Sequence, residues 1–468
     1  MLKRTKIIAT IGPASESADV IQRLILAGAN IFRFNLKHND LAWHESKVKL
    51  VRQVSDSLSQ NCPVILDLQG PELRIDTKDG ATIEVAEGDR VKISQKFLKF
   101  PKSIRLIQKQ VITDLSKGDS LFIDDGNLEL KVVSKKAGVV TAKTLQSGVI
   151  KNRKSINFPS INVDLPLLTD HDIEALDVAA KINADFVALS FVRTAKDIDK
   201  LRSELVKRKC FAKIIAKIEN ATALKNLPQI IATTDAVMVA RGDLGIEVPL
   251  KELALWQKKM IDLCRQHNKP VIVATQMLMS MIDRGRPTRA EATDVANAVF
   301  DGADCLMLSD ETAVGHNPPR VVHTMSDIAQ FAENSGELRH TGMIINNLSD
   351  VLIDSAVKVV TESTRWPISA AIVFTQSGYT AKVFSTYRLN VPIIAISDNR
   401  DNLKLLNLSY GIIPFYAKLT DGQFKLDGPV FQRLIEAGLI KEDSQAIVVH
   451  GQNWLSSGST RSISIKQF

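Results

Sequence analysis

The sequence is poor in cysteine and aromatic residues, and it contains no long hydrophobic run. Its 468 residues include four cysteines, and aromatic side chains make up 5%. The cysteines form no CxxC pair, which argues against a zinc site or a disulfide framework and fits the reducing cytoplasm. No apolar run approaches the roughly 20 residues that span a bilayer, and the first residues lack the pattern of a signal peptide. We therefore expect a cytoplasmic protein without a membrane partner.

The excess of positive charge is also small. Lys and Arg number 60 against 52 Asp and Glu, which gives a formal net charge of +8. This excess favours anionic partners such as phosphorylated metabolites and does not require nucleic acid. The length predicts roughly two to four domains, and the composition is that of an ordinary globular protein.

Short apolar runs typical of buried parallel strands alternate with segments of helical periodicity. Eight such strands are predicted, at residues 5–11, 31–35, 63–68, 186–190, 214–218, 236–240, 271–274 and 305–308. Eight parallel strands, each followed by a helix, predict a TIM (β/α)8 barrel with its active site at the carboxyl ends of the strands.

Two further regions break or follow this alternation. Between residues 74 and 165 the helical period disappears, and alternating strands with turns predict a small β-barrel domain inserted into the α/β fold. After about residue 340 strands and helices alternate again. We therefore divide the chain into a barrel (1–73 and 166–340), an inserted β domain (74–165) and a C-terminal α/β domain (341–468).

Charged residues cluster at the predicted strand ends. Lys217 and Glu219 are two residues apart and point to the same side of one strand, while Asp243 follows the next strand. Two carboxylates beside an ammonium suit Mg²⁺ together with phosphate oxygens, although a salt bridge that caps the sheet would give the same pattern. Polar residues follow seven consecutive predicted strands. That repetition favours an active site.

One turn in the C-terminal domain has phosphate-binding character. Residues 375–380, TQSGYT, lie between a predicted strand and a helix. Hydroxyl groups, a glycine and free backbone N–H groups in such a turn can hold a phosphate. An ordinary capped turn would have the same composition.

The motifs in this order resemble the pyruvate kinase family over almost the whole chain. The matching segments are TKIIATIGPAS (5–15), RFNLKH (33–38), LDLQGPELR (66–74), ADFVALSFVR (184–193), KIEN (217–220), ARGDLG (240–245), ATQML (274–278), RPTRAEATDVANAVFDGAD (286–304) and MLSDETAVG (307–315). The resemblance implies phosphoryl transfer from phosphoenolpyruvate to ADP, giving pyruvate and ATP in glycolysis. It also implies that the inserted domain is a lid, that the C-terminal domain can bind a phosphorylated effector, and that the protein is a homotetramer.

The resemblance also assigns roles to the strand-end residues. It implies Mg²⁺ (or Mn²⁺) on Glu219 and Asp243, and catalytic roles for Lys217, Arg33 and Thr275. The implied phosphoenolpyruvate site consists of Arg33, Lys217, Gly242, Asp243 and Thr275. A threonine hydroxyl is a poor acid at neutral pH, so we expect Thr275 to order a water relay, together with Ser309 and Glu311.

Two further sets of residues follow from the same resemblance. The nucleotide side comprises Asn35, His38, Arg74 and His171, without a P-loop motif. The effector site in the C-terminal turn comprises Thr375, Ser377, Gly378 and Thr380.

The sequence departs from the family at its monovalent-cation site. Asn35 and Asp67 remain there, but Lys37 replaces the serine of RxNFSH and Leu68 replaces the threonine of LDTKGPE. Lys37 brings a compact positive charge to the place of the ion. We therefore hypothesise a tethered cation and a K⁺-independent enzyme. The alternative is that Lys37 points to solvent and activity is weakened.

Four other departures affect the surroundings of the site. Gln69 and His171 each replace a lysine near the nucleotide, and Asp310 replaces a glycine beside Ser309. Tyr379 interrupts the small or basic pattern of the effector loop, which favours a monophosphate, or no effector, over a bisphosphate.

Two other functions stay open from the sequence. One is a different Mg²⁺-dependent barrel enzyme acting on phosphoenolpyruvate or a keto acid, such as a lyase, because fold alone does not determine the reaction. The other is a catalytically weakened relative that binds a polyanion through its basic lid.

Overall fold

The chain begins with the first three barrel strands. The computed structural model describes residues 3–159, 161, 163, 165–338, 344–418, 428–451 and 460–468. Its first elements are β1 (Lys6–Thr10), α1 (Ala18–Leu26), β2 (Ile31–Asn35), α2 (Leu41–Ser57) and β3 (Val64–Asp67). Side-chain caps define the two helix starts, because Ser17 accepts from the N–H of Val20 and Asp40 from that of Trp43.

The insertion is built almost entirely of short strands. Its elements are β4 (Asp76–Thr77), β5 (Ile83–Val85), β6 (Arg90–Ser94), β7 (Ser103–Arg105), α3 (Lys109–Asp114), β8 (Ser120–Ile123), β9 (Leu128–Lys136), β10 (Val139–Thr144), β11 (Gly148–Ile150) and β12 (Ile156–Asn157). In the described residues they form a seven-stranded mixed sheet, β12-β8-β9-β10-β6-β7-β4, and a two-stranded ribbon of β5 and β11. A separate apolar core lies between them, so the β character of the insertion is confirmed.

The second part of the barrel follows. Its elements are α4 (Asp170–Lys181), β13 (Phe186–Leu189), α5 (Ala195–Lys207), β14 (Lys213–Ile218), α6 (Ala221–Lys225), α7 (Leu227–Thr233), β15 (Ala236–Ala240), α8 (Arg241–Glu247), α9 (Leu250–Gln266), β16 (Val271–Ala274), α10 (Arg289–Phe300), β17 (Cys305–Leu308), α11 (Asp310–Ala313) and α12 (Pro318–Asn334). The described strands close in the order β1-β17-β16-β15-β14-β13-β3-β2, and every neighbouring pair is parallel. The predicted (β/α)8 barrel is confirmed.

The C-terminal domain is a separate α/β sheet. Its elements are α13 (Leu348–Glu362), β18 (Ile368–Phe374), α14 (Tyr379–Thr386), β19 (Ile393–Ser397), α15 (Arg400–Leu406), β20 (Ile412–Tyr416), α16 (Pro429–Glu436), β21 (Gln445–Gly451) and β22 (Thr460–Gln467). The described strands follow the order β20-β19-β18-β21-β22, and only the pairing of β21 with β22 is antiparallel. The boundary placed between residues 340 and 341 lies outside the described residues, and the other domain limits stay predictions.

The C-terminal domain closes the amino-terminal mouth of the barrel. Leu408 is fully buried and packs with the inward-facing barrel residues Ile8, Phe186 and Ile272. Its carbonyl oxygen accepts a hydrogen bond from Cys305 Sγ at 3.1 Å. The mouth at the carboxyl ends of the strands is left as the position for a substrate site.

Candidate active site

Lys217 lies at the centre of the polar cluster. β14 places it on the inner face of the barrel, because it lies two residues after the inward-facing Ile215 and therefore on the same face of the strand. Its ammonium lies 2.9 Å from Glu219 Oε1 and 3.1 Å from Asp67 Oδ1, and it donates to Ser190 Oγ at 2.7 Å. Burial opposes ionisation of this lysine, but Asp67 and then Glu219 outweigh it and raise the pKa of Lys217. Lys217 is therefore a permanent cation in this site.

Asp67 is the shared counter-ion of two cations. Arg33 Nε and Nη2 each lie 2.7 Å from Asp67 Oδ2, while Lys217 approaches the other oxygen. Arg33 also donates to Thr10 Oγ1 at 3.1 Å. Burial favours the neutral acid, but the charges of Lys217 and Arg33 outweigh it and hold the pKa of Asp67 below its ordinary value. Asp67 was expected at a monovalent-cation site, whereas its contacts orient the two cations expected at the phosphoryl group.

Glu219 and Asp243 form the candidate metal centre. Glu219 is buried, and its second oxygen accepts from the N–H of Phe191 at 2.6 Å. Burial, followed by the charge of Glu219, raises the pKa of Asp243 to about 7. Two neighbouring carboxylates, one of them buried, are oxygen ligands of the kind that a hard divalent cation takes, so the residues fit such an ion. In the described part of the chain no three His, Cys, Asp or Glu side chains gather as a ligand set, as expected when phosphate oxygens and water supply the rest.

Both carboxylates line one small cavity at the strand ends. Its volume is about 90 Å³, and its lining includes Arg33, Lys217, Glu219, Asp243 and Thr275. The structure thus brings together the predicted cations, metal ligands and Thr275. Gly242 is adjacent, because its N–H donates to Thr275 Oγ1 at 2.8 Å.

A wider cleft adjoins this cavity beneath the lid. It has a volume of about 260 Å³ and is lined by lid residues such as Asp125 and by barrel residues that include Glu219 and Asp243. The turn of the inserted domain at Gly126 lies close to α8, because the position that a Cβ at Gly126 would take is 3.4 Å from Ile246 Cγ1. Burial and the nearby Asp243 raise the pKa of Glu247, also in this cleft, to about 7. The cleft shares Glu219 and Asp243 with the small cavity, so the two spaces are continuous at the candidate metal centre.

Lys37 is directed into the site. Its side chain is 32% exposed, forms an ion pair with Glu72 and lines the small cavity with Asn35. Glu72 also receives Arg74 Nη2 at 2.7 Å, and Arg74 Nη1 donates to the carbonyl oxygen of Arg153 at 2.9 Å. Arg74 thus lies where the chain enters and leaves the lid. Lys37 therefore lies at the exposed edge of the site, and the choice between a tethered cation and a weakened enzyme stays a prediction.

The other residues predicted to bind the nucleotide, His38 and His171, do not line the small cavity or the wider cleft. His171 lies beside the end of β2, where its Nε2 donates to the carbonyl oxygen of Leu36 at 3.0 Å. His38 is exposed and does not line either cavity. Gln69 lies in the lining of the small cavity, and its N–H donates to Asp172 Oδ1 at 2.9 Å.

The predicted effector turn is closed by its own hydrogen bonds. Thr375 Oγ1 accepts from the N–H of Gly378 at 2.9 Å, and Ser377 Oγ accepts from that of Tyr379 at 3.3 Å. Thr380 is buried and shares a hydrogen bond with Thr460. Two N–H groups that a phosphate would use are therefore already engaged, and Ser377 is the predicted member that lies exposed.

Glu311, expected in a water relay, has structural contacts beside the site. It is fully buried, and its oxygens accept from the N–H of Leu278 at 3.2 Å and of Ser309 at 2.7 Å. It therefore links the loop after β16 to the end of β17, and its part in a water relay stays a prediction. Sequence reasoning also missed Arg241, whose only signal was its place at a strand end.

Comparison with known proteins agrees with this geometry. The pyruvate kinase barrel-domain model matches residues 2–322, and the pyruvate kinase alpha/beta-domain model matches residues 351–466. A pyruvate kinase of Corynebacterium efficiens is 37% identical over 467 residues, covering 99% of this chain and 98% of the relative. The pyruvate kinase of Geobacillus stearothermophilus is 37% identical over 466 residues, covering 98% of this chain and 79% of the relative.

A third relative covers less of the chain and is also a pyruvate kinase. The pyruvate kinase of Staphylococcus saprophyticus is 38% identical over 419 residues, covering 88% of this chain and 72% of the relative. Among the described residues, no helix is both long and apolar enough to cross a membrane. The barrel, the strand-end cluster and these matches together show that the chain belongs to the pyruvate kinase family, the divalent-metal phosphotransferases that convert phosphoenolpyruvate and ADP into pyruvate and ATP.

Proposed function

We propose that phosphoenolpyruvate binds in the small cavity, with its phosphoryl group between Arg33 and Lys217. The observation that supports this most strongly is the buried Arg33–Asp67–Lys217 array directly beside Glu219 and Asp243. Phosphoryl transfer depends mainly on positioning and on charge stabilisation. Two cations oriented by one buried carboxylate provide both without moving during the reaction.

The metal ion proposed here is Mg²⁺ or Mn²⁺, held by Glu219 and Asp243. When bound, such an ion neutralises charge on the carboxylate and enolate oxygens of the substrate. Lys217 stays protonated and stabilises the enolate that remains after transfer. Gly242 and Thr275 border the substrate, and the Thr275 hydroxyl orders the water that supplies the proton to the enolate.

The nucleotide binds on the side of the small cavity where Asn35 lies. Asn35, His38, Arg74 and His171 form its binding side, with the diphosphate directed toward the small cavity. Arg74 is the fixed cation of this set, because Glu72 and the Arg153 carbonyl orient its guanidinium. The lysines replaced by Gln69 and His171 predict a weaker hold on the nucleotide phosphates than in relatives that keep them.

Lys37 acts as a tethered monovalent cation. Its ammonium faces Glu72 beside Asn35, and its charge lowers the proton affinity of Asp243. The ligands remaining from the family site are Asn35 and Asp67, and Asp67 is already occupied by Arg33 and Lys217. The enzyme should therefore not need K⁺.

The test is pyruvate formation from phosphoenolpyruvate, ADP and Mg²⁺ in tetramethylammonium buffer, followed by addition of KCl. We expect full activity without K⁺ and a large loss in Lys37→Ser. Lys358→Ser, which removes an exposed lysine of α13, is the control and should keep full activity. Activity of the unaltered protein that rises steeply with KCl would refute the tethered cation and leave the reaction intact.

The remaining features proposed are a homotetramer, a cytoplasmic location and a phosphorylated effector. Leu250, Leu255 and Phe331 are 76%, 68% and 79% exposed on barrel helices, which supports a subunit interface there. Light scattering of the purified protein tests the tetramer. An effector at Thr375, Ser377, Gly378 and Thr380 must displace the internal bonds of the turn. Calorimetry with a sugar monophosphate and a sugar bisphosphate tests that site, and we expect the monophosphate to bind better.

A further inference from the structure

The turn after β16 holds two consecutive residues in a left-handed backbone conformation. Thr275 has φ 69° and Gln276 has φ 54°. A positive φ is a true outlier for a β-branched residue such as threonine and indicates local backbone strain. Such a conformation persists only where surrounding contacts impose it. Those contacts identify what places Thr275 at the substrate.

Arg241 makes most of the contacts that hold this turn in its left-handed conformation. This first residue of α8 donates from Nη2 to the carbonyl oxygen of Thr275 at 2.8 Å and from Nε to that of Ala274 at 3.3 Å. Its Nη2 also lies 2.8 Å from Met277 Sδ. One guanidinium thus contacts the residue before the turn, the first residue of the turn and the residue after it.

Arg241 is itself held rigidly from another helix. Its Nη1 lies 2.8 Å from Asp294 Oδ1 and 2.7 Å from Oδ2, and its side chain is 11% exposed. Asp294 belongs to α10, whose first turn is tied to the same loop because Glu291 accepts from the N–H of Ser280 at 2.7 Å. The planar fork of arginine allows these simultaneous contacts, which a lysine cannot reproduce.

Arg241 does not line either cavity of the active site, whereas Thr275 lines the small one. The next residue, Gly242, donates its N–H to Thr275 Oγ1. The strand end that carries Arg241 therefore determines both the backbone conformation of Thr275 and the position of its hydroxyl group.

We propose that Arg241, held by Asp294, is the positioning residue for the proton-transfer step of the reaction. In that step a C–H bond forms at C3 of the enolate, the enolate C–O⁻ becomes the ketone carbonyl, and the hydroxide left from the donor water is reprotonated by solvent. The proposal rests on the proposed role of Thr275 in ordering that water. Phosphoryl transfer uses Arg33 and Lys217, to which the hydrogen bonds of Arg241 do not extend.

The test compares Arg241→Lys, Asp294→Asn and Thr275→Val in the full-length protein with Mg²⁺. The diagnostic measurement is exchange of the pyruvate methyl protons with solvent deuterium, followed by NMR, beside kcat and KM for phosphoenolpyruvate. We expect Arg241→Lys to slow exchange and kcat about 10- to 100-fold, as displacement of a catalytic group does, with KM changed less than about 2-fold. Asp294→Asn should give a smaller loss, since it leaves the contacts of Arg241 to the turn in place.

A matched control and a double variant separate positioning from stability. Arg208→Lys alters an arginine that also binds a carboxylate and a backbone carbonyl, but far from the site, and it should leave exchange unchanged. Arg241→Lys added to Thr275→Val should cost no further exchange, because one acts through the other. The proposal is overturned if Arg241→Lys lowers only the melting temperature while Thr275→Val is slow. If Thr275→Val exchanges at the full rate, the role of Thr275 fails as well.

Discussion

Asp67→Asn is the sharpest test of how the site is held together. The change keeps the shape of the side chain and removes one buried negative charge, leaving Arg33 and Lys217 without their common partner. Asp67 and Arg33 are 1% and 9% exposed, and their atoms lie 2.7 Å apart. Removing one partner of a buried ion pair costs about 3–5 kcal/mol. A natural control is Asp177→Asn, because Asp177 also lies 2.7 Å from an arginine, Arg208, but is 66% exposed.

The magnitudes expected for the two variants differ clearly. An exposed pair contributes about 0.2–1 kcal/mol, so Asp177→Asn should barely change the unfolding curve. With a urea m-value of about 3 kcal/mol/M, Asp67→Asn should lower the midpoint of the barrel transition by about 1 M or more. Circular dichroism in urea measures both.

The pH dependence of this difference follows from the charge. Because Lys217 and Arg33 hold the pKa of Asp67 below its ordinary value of 3.8 in the folded protein, its stabilisation is complete above that value. It is lost as the pH falls through the lower folded pKa. The gap between wild type and Asp67→Asn should thus be constant from about pH 5 to pH 8 and shrink in stronger acid. Equal midpoint shifts for Asp67→Asn and Asp177→Asn would refute the reasoning.

Three further predictions concern other parts of the molecule. Burial, followed by the charge of Lys269, lowers the pKa of Lys382 from 10.5 to about 8, so the unfolded chain binds one more proton between these values and stability rises with pH there. Lys382→Met should remove that rise, as measured by thermal unfolding at about pH 8 and pH 10. Leu408→Ala should cost about 2–5 kcal/mol, because its side chain fills the barrel floor, and denaturant titration measures the loss. Ser190→Ala removes an acceptor 2.7 Å from the Lys217 ammonium and should lower kcat about 10-fold in the pyruvate assay.

The barrel could be predicted because its elements carry local signals. The bounds of β2, β15, β16 and β17 match the predicted ranges 31–35, 236–240, 271–274 and 305–308. Buried parallel strands are mostly apolar runs, and a polar or charged residue follows β15, β16 and β17 directly, namely Arg241, Thr275 and Ser309. The shortest strands and helices could not be predicted, because the sequence contains no apolar run or helical period for them. β4 and β12 have two residues each, and α8 begins at Arg241 directly after a strand, where the helical period is too short to detect.

The residues of the site could be listed from the sequence, but not their partners. Asp67 pairs with Arg33 and Lys217, which are 34 and 150 residues away in the chain, and only the closed barrel brings these strand ends together. Arg241 could be located at a strand end from the sequence, but its function could not be predicted. It stood in a strand-end motif, yet its function depends on the backbone angles of Thr275, which no local pattern reveals.

The charges around the small cavity connect the proposed metal site with the proposed role of Lys37. Three cationic and three anionic side chains line it, namely Arg33, Lys37, Lys217, Asp67, Glu219 and Asp243. The cavity is formally neutral, whereas phosphoenolpyruvate brings a phosphate and a carboxylate. A divalent ion on the proposed ligands Glu219 and Asp243 would make the cavity attractive to that anion, since opposite charges in a largely buried site interact strongly. Without Lys37 the empty cavity would be anionic, and part of the positive charge of the metal would only neutralise the cavity. In the proposed role, the Lys37 ammonium would supply the positive charge that a bound monovalent ion would otherwise have to supply.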